Sequence, residues 1–238
     1  MTVTSSRRAV LGAALVLAAM PRAFAQGKIP IGVIGSGNIG GTLGALWIKS
    51  GHPVMFSSRN PDELKPMAQK LGPLAKVGTV AQAAQFGQAI LIAVPYGGLP
   101  QIGRDNRAAL AGKLVLDASN AVAGRDPAPL VHEMKTNGPG ITSQKYLPGA
   151  HVVRAFNAIG YKTFASEAGR PDPKLPVAYA GDDPAAMQLA AQLIRDLGFE
   201  PVAAGGLKEA WKFYLGGPAA GAAKDAAEMK AKLAAAKQ

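Results

Sequence analysis

The residues with the most chemical content lie between Ile29 and Arg59. Gly35-Ser36-Gly37-Asn38-Ile39-Gly40 has G-x-G-x-x-G spacing. That spacing is a weak signal alone and a strong one between a strand and a helix. Each glycine has a distinct task. Gly35 permits a tight turn, Gly37 lets backbone approach a pyrophosphate, and Gly40 lets helix and strand pack closely. With Ser36, Asn38 and Ile39 they open a helix, whose unpaired N–H groups and dipole attract phosphate. A NAD site carries Asp or Glu about 20 residues further on, for the ribose 2′-hydroxyl. Residues 53–60 contain no acid; the first is Asp62. Ser57, Ser58 and Arg59 stand there instead. A guanidinium offers a planar fork of donors suited to a phosphate dianion. The expected cofactor is therefore NADP(H), with Ser58 and Arg59 on its 2′-phosphate. The plainer alternative makes Arg59 a solvated turn residue. Lys65 either adds charge from the next helix or is an ordinary surface lysine.

Other chemistries have little support. The chain has no cysteine, which removes disulfides, thiolate nucleophiles and cysteine-ligated metals. His52, His132 and His151 are scattered, with no pair at ligand spacing on a helix, so no metal site is expected. His52 follows Gly51 at a helix-to-strand turn, where a structural role is expected. No Ser/Lys/Tyr or His/Asp arrangement reads as a proton relay. Tyr96 is open to two readings, a proton donor or a ring packed against the cofactor.

These residues need elements to hold them. Ile29 to Ile34 reads as a strand. A helical face follows, with Ile39, Leu43, Leu46 and Trp47, stopped by Gly51 before a second strand, Val54 to Ser57. Pro61 to Leu71 reads as helix, Leu74 to Val77 as a strand, and Thr79 as the cap of a helix running to Phe86. Ala89 to Val94 is an unbroken apolar run, the mark of a buried parallel strand. Leu99 to Leu110 reads as helix. Lys113 to Asp117, His151 to Phe156, Pro176 to Ala180 and an edge run, Glu200 to Ala203, read as further strands. Asp183 and Pro184 are a natural N-cap and first residue for a helix to Leu197, which Gly198 closes. Leu207 to Leu215 reads as the last ordered helix. From Pro218 the chain is rich in alanine and lysine, with a Glu228–Lys232 pair and a thin apolar stripe. The expected class is α/β: a Rossmann-like, doubly wound, mostly parallel sheet over residues 27–207, with a short helical appendage at 208–238.

Residues 1–25 read as a targeting segment. Arg7 and Arg8 precede an uncharged apolar run, Ala9 to Met20, and Ala23-Phe24-Ala25 offers an A-x-A cleavage site. The run is too short to span a membrane. Paired arginines, an Ala/Gly-rich run and Arg22 near the cleavage site favour a twin-arginine signal. The expectation is export of a folded protein through the Tat translocase to the periplasm, cleavage after Ala25, and no membrane span thereafter. Cleavage removes three arginines and no acid, lowering the formal charge from +11 to +8. Without a basic stripe interleaved with aromatics, that charge suits an anionic cofactor or substrate, or solubility, better than nucleic acid.

The sequence resembles the F420:NADP oxidoreductases, the NADPH-dependent deazaflavin (coenzyme F420) reductases. Their N-terminal module also occurs in pyrroline-5-carboxylate reductases and in the cytosolic domain of the STEAP metalloreductases. The resembling blocks are GSGNIGGTLG (35–44), GHPVMFSSRNPDEL (51–64), AILIAVPY (89–96), KLVLDASNA (113–121), VVRAFNAIG (152–160) and AGDDPAAMQLAAQLIRDLGFEPVAAGGL (180–207). The resemblance implies phosphate contacts from residues 35–40 and 2′-phosphate contacts from Ser58 and Arg59. It places Val94, Pro95 and Tyr96 near the nicotinamide, with Ser119 and Asn120 nearby and Asn157 bordering the pocket. It also implies deazaflavin or flavin as co-substrate. The chain departs from this pattern after Leu207, where such proteins often help form the second-substrate pocket.

Hydride transfer between two cofactor rings is mainly a matter of proximity and exclusion of water, and needs no dedicated acid. Reductases with a large helical substrate domain fit less well, because residues 208–238 leave no room for one unless a homodimer supplies it. The reading is an exported NADPH-dependent oxidoreductase acting on a flavin-like or other redox acceptor. The alternative is an exported dinucleotide-binding module without catalysis.

Overall fold

The computed structural model describes residues 27–237. The arginine pair, the apolar run and the cleavage site of the expected signal lie outside the described residues. In chain order the elements are β1 (Ile31–Ile34), α1 (Asn38–Lys49), β2 (Val54–Ser57), a 3-10 turn (Pro61–Leu64), α2 (Lys65–Leu71), β3 (Ala75–Gly78), α3 (Val80–Phe86) and β4 (Ala89–Ile92). A 3-10 turn (Tyr96–Gly98), α4 (Leu99–Asp105), α5 (Arg107–Leu110), β5 (Leu114–Asp117), α6 (Ala128–Asn137), α7 (Pro139–Tyr146), β6 (His151–Ala155) and α8 (Tyr161–Glu167) follow. The chain continues with β7 (Pro176–Gly181), α9 (Pro184–Asp196), β8 (Glu200–Gly205), a 3-10 segment (Leu207–Phe213) and α10 (Ala226–Ala235).

The strands form one sheet in the order β3-β2-β1-β4-β5-β6-β7-β8. Every pair is parallel except β6 with β7. The first six strands have the doubly wound order of dinucleotide-binding folds. Their register aligns the exits: Ile34 lies level with Ser57, Ile92 and, one strand beyond, Asp117. The loops after β1, β2, β4 and β5 therefore leave from one edge, whereas β7 and β8 run the other way.

Local sequence explains most elements. β1, β4 and β5 are buried at every position, as a sheet covered on both faces requires. Thr79 accepts from Gln82 N while the Gln82 side chain accepts from Thr79 N, a complete capping box for α3. Asp183 caps α9 by accepting from Ala186 N, and Gly198 leaves it at φ +86°. On one face of the sheet Trp47, Phe156, Phe164 and Phe199 form a chain of ring contacts with centroids 5.4–6.1 Å apart. Trp47 also donates its Nε1–H to the Leu193 carbonyl at 3.0 Å. His52 is buried, with Nδ1 3.0 Å from the Ile29 carbonyl and Nε2 2.8 Å from Asp196, which is a structural role. The other face is covered by α3, α4 and the α6–α7 hairpin.

Three features differ from the sequence-based expectations. The helix expected over Leu99 to Leu110 is broken at Asn106, whose Nδ2 donates to the Ile102 carbonyl and competes with the next helical bonds. The hairpin of α6 and α7 between β5 and β6 was not anticipated. The Leu207 segment is a 3-10 coil rather than an α-helix. The tail is docked: Asp225 caps α10, and Met229 and Leu233 are buried with Ala178, Val202 and Phe213. Among the described residues no helix is long and apolar enough to cross a membrane.

Candidate functional site

The aligned strand exits border a cleft of about 720 Å³. Its walls bring together Gly35, Ser58, Arg59, Val94 and Pro95, residues separated by up to 60 positions in sequence. Thr79, Val80, Gln101, Ile102, Asp105 and Asn106 also line it and were not foreseen as cleft residues. Thr79 was read only as a cap. The signal lay in topology, because β3 neighbours β2 and its exit must stand beside Arg59.

The glycine crossing behaves as its residue types dictate. Gly35 has φ +96°, a conformation open to glycine. A Cβ on Gly40 would run into the Gly35 carbonyl oxygen, so α1 sits directly against the turn. A Cβ on Gly37 would meet nothing within 4 Å, so this glycine is not demanded by protein packing. The first turn of α1 has no side-chain cap and no acidic residue, which leaves its N–H groups to an anion. Asn38 is exposed at the helix start and Ile39 is packed against the core. The Ser36 hydroxyl donates to the Ser57 carbonyl at 3.1 Å and ties the turn to β2.

At the β2 exit the three residues separate. Ser57 is fully buried and donates to the Val33 carbonyl at 2.9 Å, so its hydroxyl serves the sheet and not the cleft. Its position on the inward side of the strand is the reason. Ser58 lies at the rim and accepts from Asn60 N. Arg59 is exposed at the cleft mouth. Lys65 is paired with Asp62 at 2.7 Å in an exposed salt bridge.

The β4 exit turns Tyr96 inward. Its ring is fully buried and its hydroxyl lies 3.3 Å from Ser143 Oγ. Burial first, then the negative charge of Asp117, pushes its phenol far above the ordinary value, so it stays protonated. Beside it lies an ion pair with no exposure on either side chain, Asp117 of β5 with Arg154 of β6 at 2.5 Å. This pair grips Ser119 from both ends. Asp117 accepts from Ser119 N at 2.9 Å and from its hydroxyl, and Arg154 Nη2 donates to the Ser119 carbonyl at 2.7 Å.

Asn120 follows and donates Nδ2–H to the Asn157 carbonyl at 2.8 Å. Asn120 Oδ1 and both polar atoms of the Asn157 amide are buried without a partner among the described residues. Buried polar groups are rarely left so; neither asparagine is among the residues that line the cleft of Gly35, Arg59 and Pro95. Phe156, just before Asn157, has φ +63°, rare for a bulky residue and typical of functional sites. Its ring is held by Trp47 and Phe164, which fixes the turn that presents Asn157.

Asp126 staples two of these loops. It accepts from Gly97 N of the β4 exit and Val122 N of the β5 exit, both at 2.8 Å, and from Arg125. Desolvation opposes its charge, but those donors prevail and hold the carboxyl below its ordinary value. Among the described residues no group of His, Cys, Asp or Glu is placed to hold a metal ion.

The strand order and the glycine crossing define a fold of the Rossmann type. Comparison with known proteins refines that class. Residues 30–121 match the family model described as NADP oxidoreductase, coenzyme F420-dependent. Metalloreductase STEAP3 of Rattus norvegicus is 31% identical over 183 residues, covering 76% of this chain and 34% of the relative. The chain thus spans about a third of the length of the curated relatives it matches. Among solved structures, a hypothetical protein from Sinorhizobium meliloti is similar at TM-score 0.70 and 26% identity, over 85% of this chain and 95% of that one. A protein described as an F420-dependent NADP reductase, from Arthrobacter sp., shares the fold at TM-score 0.64 and 22% identity, over 77% of this chain and 87% of that one.

Proposed function

We propose that this protein is an NADPH-dependent reductase that passes hydride to a flavin-like or deazaflavin-like acceptor. The observation that carries the reading is Arg59 at the mouth of the cleft, beside Ser58 and one strand from Gly35. In this reading Arg59 and Ser58 bind the 2′-phosphate and α1 receives the pyrophosphate. Asn120 and Asn157 orient the nicotinamide amide through their unpartnered atoms. The chain's own work is to bind, align and keep water out. The inward turn of Tyr96 fits a transfer between two rings, which needs no proton from the protein. The test is to mix the purified protein with NADPH and FMN, or with a deazaflavin, and follow the nicotinamide absorbance band. Oxidation that depends on both partners is expected; none with any such acceptor overturns the reading.

We also propose export to the periplasm after folding. The Arg7-Arg8 pair and the following apolar run support this, and cofactor uptake in the cytoplasm suits a route that carries folded proteins. Changing Arg7 and Arg8 to lysine should leave the protein inside the cell; unchanged secretion would remove the twin-arginine assignment.

A further inference from the structure

The cleft that carries Arg59 has a second chemistry in its wall. Val80, Val94 and Ile102 line it and are only partly buried, so a stretch of that wall is apolar and fits a flat ring. Asn106 stands in the same wall at the break between α4 and α5, and is 8% exposed.

The amide of Asn106 is half used. Its Nδ2 donates to the Ile102 carbonyl at 3.0 Å. A carbonyl oxygen takes only a donor, so this contact fixes which way the amide points. The atom left over is Oδ1. Among the described residues it accepts no hydrogen bond, and it is not sealed from solvent. Asp105, the residue before it, also lines the cleft. Its carboxylate is exposed and pairs with no cation among the described residues. Two successive residues thus offer acceptor oxygens beside an apolar wall.

We propose that Asn106 Oδ1, helped by Asp105, reads the base of the nucleotide and selects a purine with an amino group at C6. An exocyclic amine donates to a carboxamide oxygen, whereas a 6-oxo group sets one acceptor against another. A site built to receive a donor rejects the analogue that lacks it. The inference rests on the NADPH reading and deepens it. Arg59 chooses between coenzymes by their phosphate; Asn106 chooses by their base.

Calorimetric titration with NADPH and with its deamino analogue, in which hypoxanthine replaces adenine, tests it. The wild-type protein should bind NADPH at least about tenfold more tightly. Asn106→Leu should weaken NADPH by about that factor, leave the analogue where it was, and bring the two level. Asn106 also holds the end of α4, so a second variant spares the fold. Asp105→Ala changes an exposed side chain and should narrow the preference at an unchanged melting temperature. Arg59→Asp should weaken both coenzymes alike and keep their ratio, because it acts on the phosphate. Equal wild-type affinities, or a preference that survives both the Asn106 and the Asp105 substitutions, overturn the proposal and spare the NADPH reading. Binding of neither coenzyme overturns both.

Discussion

Two side chains near the cleft differ in what they are expected to do. Arg59 stands in the open at the β2 exit with no acid beside it in residues 53–60. Arg59→Asp should cost NADPH about 2 kcal/mol or more through loss of a charge-assisted contact, while NADH affinity changes little and the melting temperature holds. Fluorescence titration of both coenzymes checks it; equal losses would place the adenosine end elsewhere. Asp126 acts differently, by joining two loops through backbone N–H groups. Asp126→Ala leaves those donors unpaired, at about 1–3 kcal/mol. Because its carboxyl titrates below the ordinary value, its contribution is present at neutral pH and is lost as pH falls through that depressed range. The melting-temperature gap between wild type and variant should therefore narrow below about pH 4. The place of Arg59 just after β2 could be read from neighbouring residues, whereas the loop-joining contacts of Asp126 could not. Its partners at positions 97 and 122 become neighbours only when β4 and β5 pair. Tyr96 and Ser57 carry the same lesson, since whether a side chain faces cleft or core depends on the pleat and on what covers the sheet.

At the scale of elements, the β1–α1 crossing separates a glycine needed by the fold from one that faces open space. Gly40→Ala forces α1 away from the Gly35 carbonyl and should destabilise the protein by about 1–3 kcal/mol. Gly37→Ala meets no protein atom and should leave the unfolding midpoint unchanged. Its methyl group would stand where phosphate must approach, and a lost phosphate hydrogen bond should weaken NADPH about tenfold. Calorimetry paired with coenzyme titration separates the two. Strands were legible because buried parallel strands read as apolar runs bounded by turn residues, as Ala89 to Ile92 do. The α6–α7 hairpin was not. Pro127, Gly138 and Pro139 suggest a loop, and the polar residues His132, Glu133, Lys135 and Thr136 dilute the helical stripe. The antiparallel β6–β7 pairing is equally invisible, because it depends on where α8 returns the chain.

The described residues close around three apolar clusters, and the third includes the tail. Met229 and Leu233 meet Phe213, Val202 and Ala178. α10 thus packs on β7 and β8, in the same apolar cluster as Phe213. Met229→Ala should cost about 2 kcal/mol or more, measurable by urea denaturation; no change would mean the tail frays in solution. The buried pair of Asp117 and Arg154 has a consequence for descent. Removing one partner strands the other charge, at about 3–5 kcal/mol, whereas exchanging both for well-packed apolar residues can be nearly neutral. A lineage cannot drift through single changes here without first losing much of its folding margin. Among descendants of this protein, the two positions should change together in one event or remain as they are.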